Sequence, residues 1–429
     1  MKAGAGASRH HHRNAGFIRQ RHEPHGPLPD KSGVPADKPF LVCWWKMRPA
    51  GVLRPRRSRL YRFLLKLLPF LPLLAYCASP SPAPPSPAAA YKDATFTEFF
   101  RRTAGLTASD GAISVPLSDG RVLWLFGDSH VDDLDPATQT IPCLFQVRNA
   151  ALLQDTNDFA NARTLIGAGP GFRSWFKNST NVDEWFWPLC GFQNGDTIYV
   201  YLVALKKTPE DGMWGFKSIG HDYWAKIKFP KLDSIEYSPL PSSRGIAFGQ
   251  GFVREGIYTY AFGQIQNGLA GDVFVARFPW DGPESDWKFW DGANWNSNVT
   301  NAVVIAKGAS TSLHVCKVKD KFLLTSSAFS VACDQGKDIF IATSSQPAGP
   351  FSSFKKVFTI DDDYHGHLPF FYFPIVHPEF INAQNEILVT YSINNYEPCI
   401  SACVNGRSIP DHYRPRAIRV PLKVIDPAF

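Results

Sequence analysis

Three acidic residues stand at the ends of short apolar segments and could take part in acid–base chemistry. Asp110 opens "DGAISVPL", Asp128 follows "LWLFG", and Glu184 lies in "DEWFWPLCGF". Two carboxyl groups that face one cleft can cleave a glycosidic bond, because one donates a proton to the leaving oxygen and the other acts as base or nucleophile. We therefore expect Asp110 and Glu184 to form a catalytic pair, with Asp128 orienting them or adjusting their pKa values.

Each of these acids also has a structural interpretation. Asp110 precedes Gly111 and could simply form a turn, whereas Asp128 could bind the backbone at the end of a strand. Glu184 is followed by three aromatic residues. Burial among them would raise the pKa of its carboxyl group, as suits a general acid. At an exposed rim, Glu184 would have no catalytic part.

Polar and aromatic side chains elsewhere are candidates for substrate contacts. Indole rings can stack on the C–H faces of sugars, which makes Trp185 and Trp187 candidates, although tryptophan also packs between structural elements. Other candidates stand just before the turns of predicted hairpins, namely Gln250, His314, His377 and Glu379. The histidines and Glu379 could equally be core or rim residues whose hydrogen bonds are satisfied within the fold.

The elements that must position these residues are short strands. From residue 110 onward, β-branched and aromatic runs alternate with Gly, Asp, Asn and Pro turns, which is typical of strands and hairpins. One short helix is predicted, over residues 91–105. The clearest strand segments are "AISVPL", "RVLWLFG", "TIYVYLVAL", "GIYTYAFGQ", "DVFVARF", "KFLLTSSAF", "DIFIATS" and "EILVTYSIN".

Five hairpins recur at similar spacing, centred near residues 118, 195, 254, 320 and 384. Four-stranded units of this size are those of propeller blades. We therefore predict an all-β fold, a five-bladed β-propeller over residues 91–429 with a short N-terminal helix; a β-sandwich is the alternative. In a propeller the first strand of each blade lies along the central channel, so the candidate residues would meet at one end of that channel.

The N-terminal region is typical of an export signal. Six arginines between residues 48 and 62 precede the apolar segment "FLLKLLPFLPLLAYC", which ends at Cys77. This order of basic and apolar regions predicts a signal peptide over 47–77, and the apolar run is short for a membrane-spanning helix. Cys77 could instead carry a lipid anchor, although Tyr76 fits that motif poorly. Residues 1–46 are predicted to be an upstream extension and 78–90 a Pro/Ala/Ser linker.

Charge argues against nucleic acid as a partner. Residues 1–90 hold 15 Lys and Arg against 3 Asp and Glu, so residues 91–429 hold 30 basic and 35 acidic residues although the whole chain is at +7. A mildly acidic body lacks the basic surface that binds phosphate backbones. The predicted partners are a polysaccharide or oligosaccharide, and a membrane only through the N-terminal lipid anchor.

Six cysteines follow the predicted signal, and an even number in an exported chain suggests disulfides. Cys316 and Cys333 flank a predicted hairpin and could face each other across it, and Cys399 and Cys403 could close a small loop. Cys143 and Cys190 would then pair by elimination.

Three segments carry a resemblance to a known family. They are "DGAISVPLSDGRVLWLFGDSH" from Asp110, "ILVTYSINN" from Ile387 and "DHYRPRAIRVPL" from Asp411. They resemble a group of bacterial secreted five-bladed β-propellers, formerly of unknown function, that is related to furanosidase-type glycoside hydrolases and has endo-D-arabinanases among its relatives. The resemblance implies that Asp110 and Asp128 are acidic site residues of the first blade. It also implies that Arg414 and Arg416 close the ring by pairing with that blade.

The function expected from these features is glycoside hydrolysis of a polysaccharide, furanose-containing and arabinan-like, outside the cytoplasm: in the periplasm, at the cell surface or in the medium. A carbohydrate-binding propeller without turnover is the alternative, and a structural, partner-binding propeller is a third class. No cofactor or metal is predicted. The acidic segments "VDDLD" and "IDDDY" could bind Ca²⁺, but they could equally be solvated loops.

Overall fold

The structure is a computed structural model that describes residues 89–429 apart from 146, 157, 160, 169–172, 179–180, 182, 210–214, 242, 395–399 and 401. The predicted upstream extension, the predicted signal and nearly all of the predicted linker therefore lie outside the described residues. Within the described part, no helix is both long enough and apolar enough to cross a membrane.

The described chain forms five antiparallel blade sheets and one small two-stranded sheet, and the five blades confirm the predicted five-bladed β-propeller. Two short elements come first, β1 (Tyr91–Lys92) and α1 (Ala94–Phe99). The first blade contains β2 (Leu106–Pro116), β3 (Val122–Val131), β5 (Ala150–Gln154) and β6 (Arg163–Leu165), with β4 (Ile141–Pro142) in the loop before β5. The second contains β7 (Glu184–Asn194), β8 (Thr197–Lys207), β10 (Tyr223–Lys228) and β11 (Ile235–Pro239), with β9 (Phe216–Ser218) also paired to β8.

The remaining blades follow the same order from the centre outward. The third contains β12 (Ala247–Glu255), β13 (Tyr258–Asn267), β14 (Ala270–Pro279), β15 (Lys288–Trp290) and β16 (Trp295–Asn296), with β17 (Ala306–Lys307) also paired to β14. The fourth contains β18 (Leu313–Val318), β19 (Lys321–Ser327), β20 (Asp338–Ser344) and β21 (Lys355–Thr359). The fifth contains β22 (Phe370–His377), β23 (Glu386–Asn394), β25 (Arg416–Pro421) and β1, with β24 (Arg407–Ser408) paired to β4 and α2 (Leu422–Ile425) after β25.

The first strand of each blade lies next to the first strand of the neighbouring blades, so that β2, β7, β12, β18 and β22 surround the axis. Each blade packs on both of its faces, and the space between two blades has its own apolar core. Leu123 and Leu125 of the first blade, for example, share a core with Val200 and Leu202 of the second. Because β3 is buried on both faces, its sequence is an almost continuous apolar run and does not alternate between apolar and polar residues.

The N-terminal helix is shorter than the predicted span of 91–105. Tyr91 and Lys92 pair with β25 as a strand, and the side chain of Asp93 then accepts a hydrogen bond from the amide of Phe96 and caps the helix. Phe96 and Phe99 are buried against the first blade. Strand pairing at one end and a cap at Asp93 thus limit the helix to Ala94–Phe99.

The ring is closed by contacts between the beginning and the end of the described chain. β1 forms the outer strand of the fifth blade on β25, and β4 pairs with β24. Arg414 donates to the carbonyl oxygens of Thr107 and Arg102, at 2.7 and 2.8 Å, and so joins the first blade as expected. Arg416 does not, because its guanidinium contacts the hydroxyl group of Tyr364 and the carbonyl oxygen of Asp411.

The predicted disulfide pairings are wrong. Cys143 bonds Cys403, which joins the loop after β3 to the segment before β24. Cys190 and Cys316 are buried free thiols. Cys333 is disulfide-bonded, although not to Cys316. Pairing across the closure of the ring, rather than within one hairpin, could not be derived from the spacing of the cysteines.

The Cys143–Cys403 bond should stabilise the closed ring strongly, because it closes a loop of 260 residues. A Cys143→Ser/Cys403→Ser double variant should lose about 2–5 kcal/mol in free energy of unfolding, measured by denaturant titration. Cys190→Ser, which removes a buried free thiol, is the control and should cost less. Equal stabilities for the double variant and the unmodified chain would show that β1 and the β4–β24 pairing suffice to close the ring.

Candidate active site

Asp110 lies in an irregular part of β2, where pairing with β3 shifts register between Ser109 and Ile113. Gly111 has φ of 100° and Ala112 has φ of 63°, a left-handed conformation that glycine adopts readily and alanine does not. The amide of Gly111 donates to the hydroxyl group of Ser392 at 2.9 Å, which ties this bulge to the fifth blade. Bulges of this kind re-aim a side chain, and here the side chain is that of Asp110.

The redirected carboxyl group packs against Gly127 of β3. A Cβ atom at position 127 would lie only 2.4 Å from Oδ1 of Asp110, so any larger residue would displace that carboxyl group. Asp128 follows directly in β3, which places the two acids side by side on adjacent strands of the first blade.

Tyrosine hydroxyl groups hold Asp110. Tyr372 of β22 donates to Oδ2 of Asp110 at 2.7 Å, and Tyr413 forms a second side-chain hydrogen bond with the same carboxyl group. Burial disfavours the charged carboxylate and raises its pKa to about 6, although the two tyrosines act in the opposite direction. Asp110 is therefore mostly ionised at pH 7.

The pKa of Asp128 is raised further than that of Asp110. Its pKa is raised to about 8, first by burial and second by the negative charge of Asp110, whereas Arg148 and Trp187 oppose the shift. The indole Nε1 of Trp187 donates to Oδ1 of Asp128 at 3.2 Å, and a guanidinium nitrogen of Arg148 lies 3.5 Å from the same oxygen. Of the two acids, Asp128 is therefore the one that keeps its proton to higher pH.

Arg148 is held between aromatic rings. Its guanidinium carbon lies 4.3 Å from the ring centre of Trp185 and 5.3 Å from that of Phe145. Phe145 in turn stacks on Tyr413, the hydrogen-bonding partner of Asp110, with 6.2 Å between ring centres. A chain of packed rings thus connects the surroundings of both acids. Residues of the first, second and fifth blades contribute to this site.

An ionised and a protonated carboxyl group side by side can perform general acid–base chemistry. The protonated group can donate to a leaving oxygen while the ionised group accepts a proton or attacks. Among the candidate acids, Asp110 and Asp128 are the two that the fold brings together.

Glu184 does not join this pair. It is the first residue of β7 and accepts a hydrogen bond from the amide group of Asn178 at 2.8 Å. Side chains alternate along a strand, so Glu184 projects from the face opposite to Trp185 and Trp187. In the described part of the chain, no contact links Glu184 to Asp110 or Asp128, and the arrangement favours Asp128 as the partner of Asp110.

His314 and Glu379 lie elsewhere, on an axial cavity of about 380 Å³. Inner strands of all five blades line this cavity, and its lining does not include Asp110 or Asp128. Burial lowers the pKa of His314 to about 4 and raises that of Glu379. These two candidates therefore line a second compartment of the channel rather than the site of the acid pair.

His377 and Gln250 are both buried. The ring nitrogens of His377 lie 2.6 Å from the hydroxyl group of Ser114 and 2.8 Å from that of Thr390, which identifies a core histidine between the first and fifth blades. A direct contact of His377 with substrate is not supported. Gln250 lies where β12 shifts its register against β13, in the same kind of irregular stretch as Asp110.

The tryptophan candidates differ in their surroundings. Trp187 is half-buried and touches Asp128, whereas the ring of Trp185 is 5% exposed and covered by Arg148. Trp185 therefore supports the site rather than facing a ligand.

Sequence reasoning missed Arg148, Phe145 and Tyr372 as parts of the site, and it gave Tyr413 no role. Arg148 lies in a stretch without a motif. Tyr372 lies in "FFYF", an aromatic run that is typical of a buried core strand. The segment "DHYRPR" contains Tyr413, but only its two arginines were given a predicted role, in closing the ring.

The acidic segments considered for Ca²⁺ have other partners. Asp133 lies 2.7 Å from the ring of His130, Asp132 pairs with Arg173, and Asp362 pairs with Lys92. Across the described ranges, no cluster of three or more His, Cys, Asp and Glu residues is arranged to hold a metal ion.

The structure is thus a five-bladed propeller with a carboxyl pair on its first blade. The sequence matches the family described as a domain of unknown function, DUF5005, over residues 93–422, and the chain belongs to that family. No curated protein matches the sequence.

Solved structures are similar to this chain at low sequence identity, and the first described here shares its fold. A Bacteroides ovatus ATCC 8483 protein described as a candidate hydrolase is 19% identical with a TM-score of 0.62, over 77% of this chain and 90% of that one. The catalytic domain of a Coprinopsis cinerea GH62 α-L-arabinofuranosidase is 10% identical with a TM-score of 0.40, over 75% and 92%. A Lactobacillus brevis α-L-arabinofuranosidase is 12% identical with a TM-score of 0.41, over 77% and 92%.

The raised pKa of Asp128 should make stability depend on pH. The folded chain keeps a proton on Asp128 up to about pH 8, whereas the unfolded chain releases it near pH 4. The free energy of unfolding should therefore fall as pH rises between about 4 and 8, by at most about 5 kcal/mol from this residue. Asp128→Asn should reduce that fall, as measured by denaturant unfolding at pH 5 and pH 8.

Asp320→Asn, in the exposed turn between β18 and β19, is the matched control and should keep the pH dependence of the unmodified chain. Parallel curves for Asp128→Asn and the unmodified chain would contradict the assignment of a buried proton to Asp128.

Proposed function

We propose that this protein is an exported glycoside hydrolase that cleaves a furanose-containing, arabinan-like polysaccharide with Asp110 and Asp128. The observation that carries the proposal is the pair itself, since two adjacent carboxyl groups have pKa values of about 6 and about 8 and thus differ in protonation at neutral pH. Pairs of carboxyl groups whose environments separate their pKa values mark acid and base roles.

In the proposed reaction, Asp128 donates its proton to the glycosidic oxygen of the leaving group. Asp110 acts at the anomeric carbon, either by accepting a proton from the attacking water or as the nucleophile. Tyr372 and Tyr413 orient Asp110 and favour its ionised form. Trp187 and Arg148 bind one oxygen of Asp128, which leaves its other oxygen to carry the proton.

The surroundings support a sugar as the ligand. Trp187 is half-buried beside Asp128, so part of its ring is available to stack on a sugar face. The fold is also one that hydrolases of furanosides use, and the family resemblance of the first-blade motif includes both Asp110 and Asp128. Export is supported by the Cys143–Cys403 disulfide, since such bonds persist in oxidising compartments.

Removal of either acid should reduce turnover strongly. Asp110→Asn and Asp128→Asn should each lower kcat/KM by at least about 10²-fold, measured as reducing sugar released from arabinans, fructans and arabinogalactans. Glu184→Gln is the control with the same chemical change outside the pair and should stay within a few-fold of the unmodified protein.

Loss of turnover in Asp110→Asn and Glu184→Gln, with turnover retained in Asp128→Asn, would replace Asp128 by Glu184 as the catalytic partner. If the folded protein binds these polymers without cleaving any of them, the non-catalytic carbohydrate-binding propeller is the correct class.

The activity should have a bell-shaped dependence on pH. Rates should rise through about pH 6 as Asp110 loses its proton and fall through about pH 8 as Asp128 loses its own. The measurement is kcat/KM between pH 4 and 10 at constant ionic strength. In the residual activity of Asp128→Asn the alkaline fall should disappear, because the titrating group is gone. A profile that is flat between pH 5 and 9 would rule out this assignment of roles.

A further inference from the structure

Arg148 carries a positive charge at the acid pair that its neighbours do not neutralise. Among the described residues, Asp128 is its one acidic partner within 4 Å, at 3.5 Å. A protonated Asp128, the predominant form at pH 7, offers that guanidinium no negative charge. While Asp128 holds its proton, Arg148 therefore has no ion-pair partner within 4 Å among the described residues.

The guanidinium group is also held in a fixed orientation. Trp185 covers it at 4.3 Å and Phe145 at 5.3 Å. The backbone amide of Arg148 donates to the hydroxyl group of Ser174 at 3.0 Å, which anchors the main chain at this position. Stacking of this kind occupies the faces of the guanidinium plane and leaves its N–H edge free to donate. Little conformational entropy remains to be lost when that edge binds a ligand.

Solvent reaches part of the Arg148 side chain. The side chain of Arg148 is 31% exposed, whereas that of Asp128 is 9% exposed. A ligand that reaches Asp128 thus meets the N–H donors of Arg148 beside it. Five N–H donors in a planar fork match the two oxygens of a carboxylate or the oxygens of a phosphate.

We propose that Arg148 binds an anionic substituent of the substrate, a carboxylate or a phosphate group, in the subsite next to Asp128. The inference rests on the proposed function and specifies its substrate, which would be an acidic rather than a neutral polysaccharide. A uronic acid residue or a phosphorylated sugar would each supply the required oxygens.

The test compares matched acidic and neutral ligands. Glucuronic-acid-containing arabinogalactan oligosaccharides and the same oligosaccharides after carboxyl reduction form one pair, and arabinose 5-phosphate and arabinose form the other. Affinity is measured by isothermal titration calorimetry with the full chain and with Asp110→Asn, in which the ligand is not consumed. At least one acidic ligand should bind about 10- to 100-fold more tightly than its neutral counterpart.

Arg148→Gln should remove that preference, and Arg148→Lys should keep only part of it because a lysine retains the charge without the planar fork. Arg121→Gln is the control, because Arg121 is ion-paired to Asp119 at the hairpin turn of the same blade; it should keep the full preference. Thermal unfolding of each variant shows that it is folded.

Two results overturn the proposal. One is equal affinity of the unmodified chain for both members of both pairs, and the other is a preference that persists in Arg148→Gln. Cleavage of neutral polymers together with either result would leave the hydrolase function intact. Conversely, an Arg148-dependent preference without turnover would support the anion site while the hydrolase function fails.

Discussion

The contact between the carboxyl group of Asp110 and the bare Cα of Gly127 determines much of this site. It requires a residue without a side chain in β3 and a left-handed bulge in β2, and together they place two buried acids on neighbouring strands. The electrostatic repulsion between these acids is part of the reason that Asp128 keeps its proton. Hydrogen bonds from Tyr372 and Tyr413 reach Asp110 from the last blade. The geometry of the acid pair on the first blade therefore depends on correct closure of the ring.

Ring closure and site assembly are consequently linked. Arg414 binds backbone carbonyl groups of Thr107 and Arg102, close in sequence to Asp110, while the neighbouring Tyr413 hydrogen-bonds Asp110 itself. The β4–β24 pairing and the Cys143–Cys403 bond fix the same two ends of the chain. A weakened closure would loosen the tyrosines around Asp110 before it unfolded the blades.

The general architecture could be predicted from the sequence because blade strands are local. The eight predicted strand segments correspond to observed strands and the five hairpins to β2–β3, β7–β8, β12–β13, β18–β19 and β22–β23. Asp110 and Asp128 were recognisable because they belong to one hairpin and one motif. The expected proximity of Glu184 to Asp110 is not observed, because alternation along β7 directs its side chain away from Trp187.

Contacts between residues that are far apart in the sequence could not be predicted from local sequence patterns. Arg148 lies near Asp128 because it packs on Trp185 and Phe145. The spacing of these residues in the sequence does not predict that arrangement. The cysteine pairing failed for the same reason, since Cys143 and Cys403 meet only when the ring closes. His377 precedes a hairpin turn like the other candidates, yet its ring lies between blades, with Ser114 and Thr390 as partners.

The pairing of Tyr91 with Arg419 constrains the order of events during synthesis. The outer strand of the fifth blade is the first part of the described chain to be made, but β25 is nearly the last, so β1 must wait unpaired until almost the whole propeller has emerged. A chain that stopped before β25 would keep four complete blades and an open fifth one, with the free edge of β23 exposed to neighbouring molecules. Premature termination or proteolysis near the C-terminus should therefore yield an aggregating species rather than a smaller functional propeller.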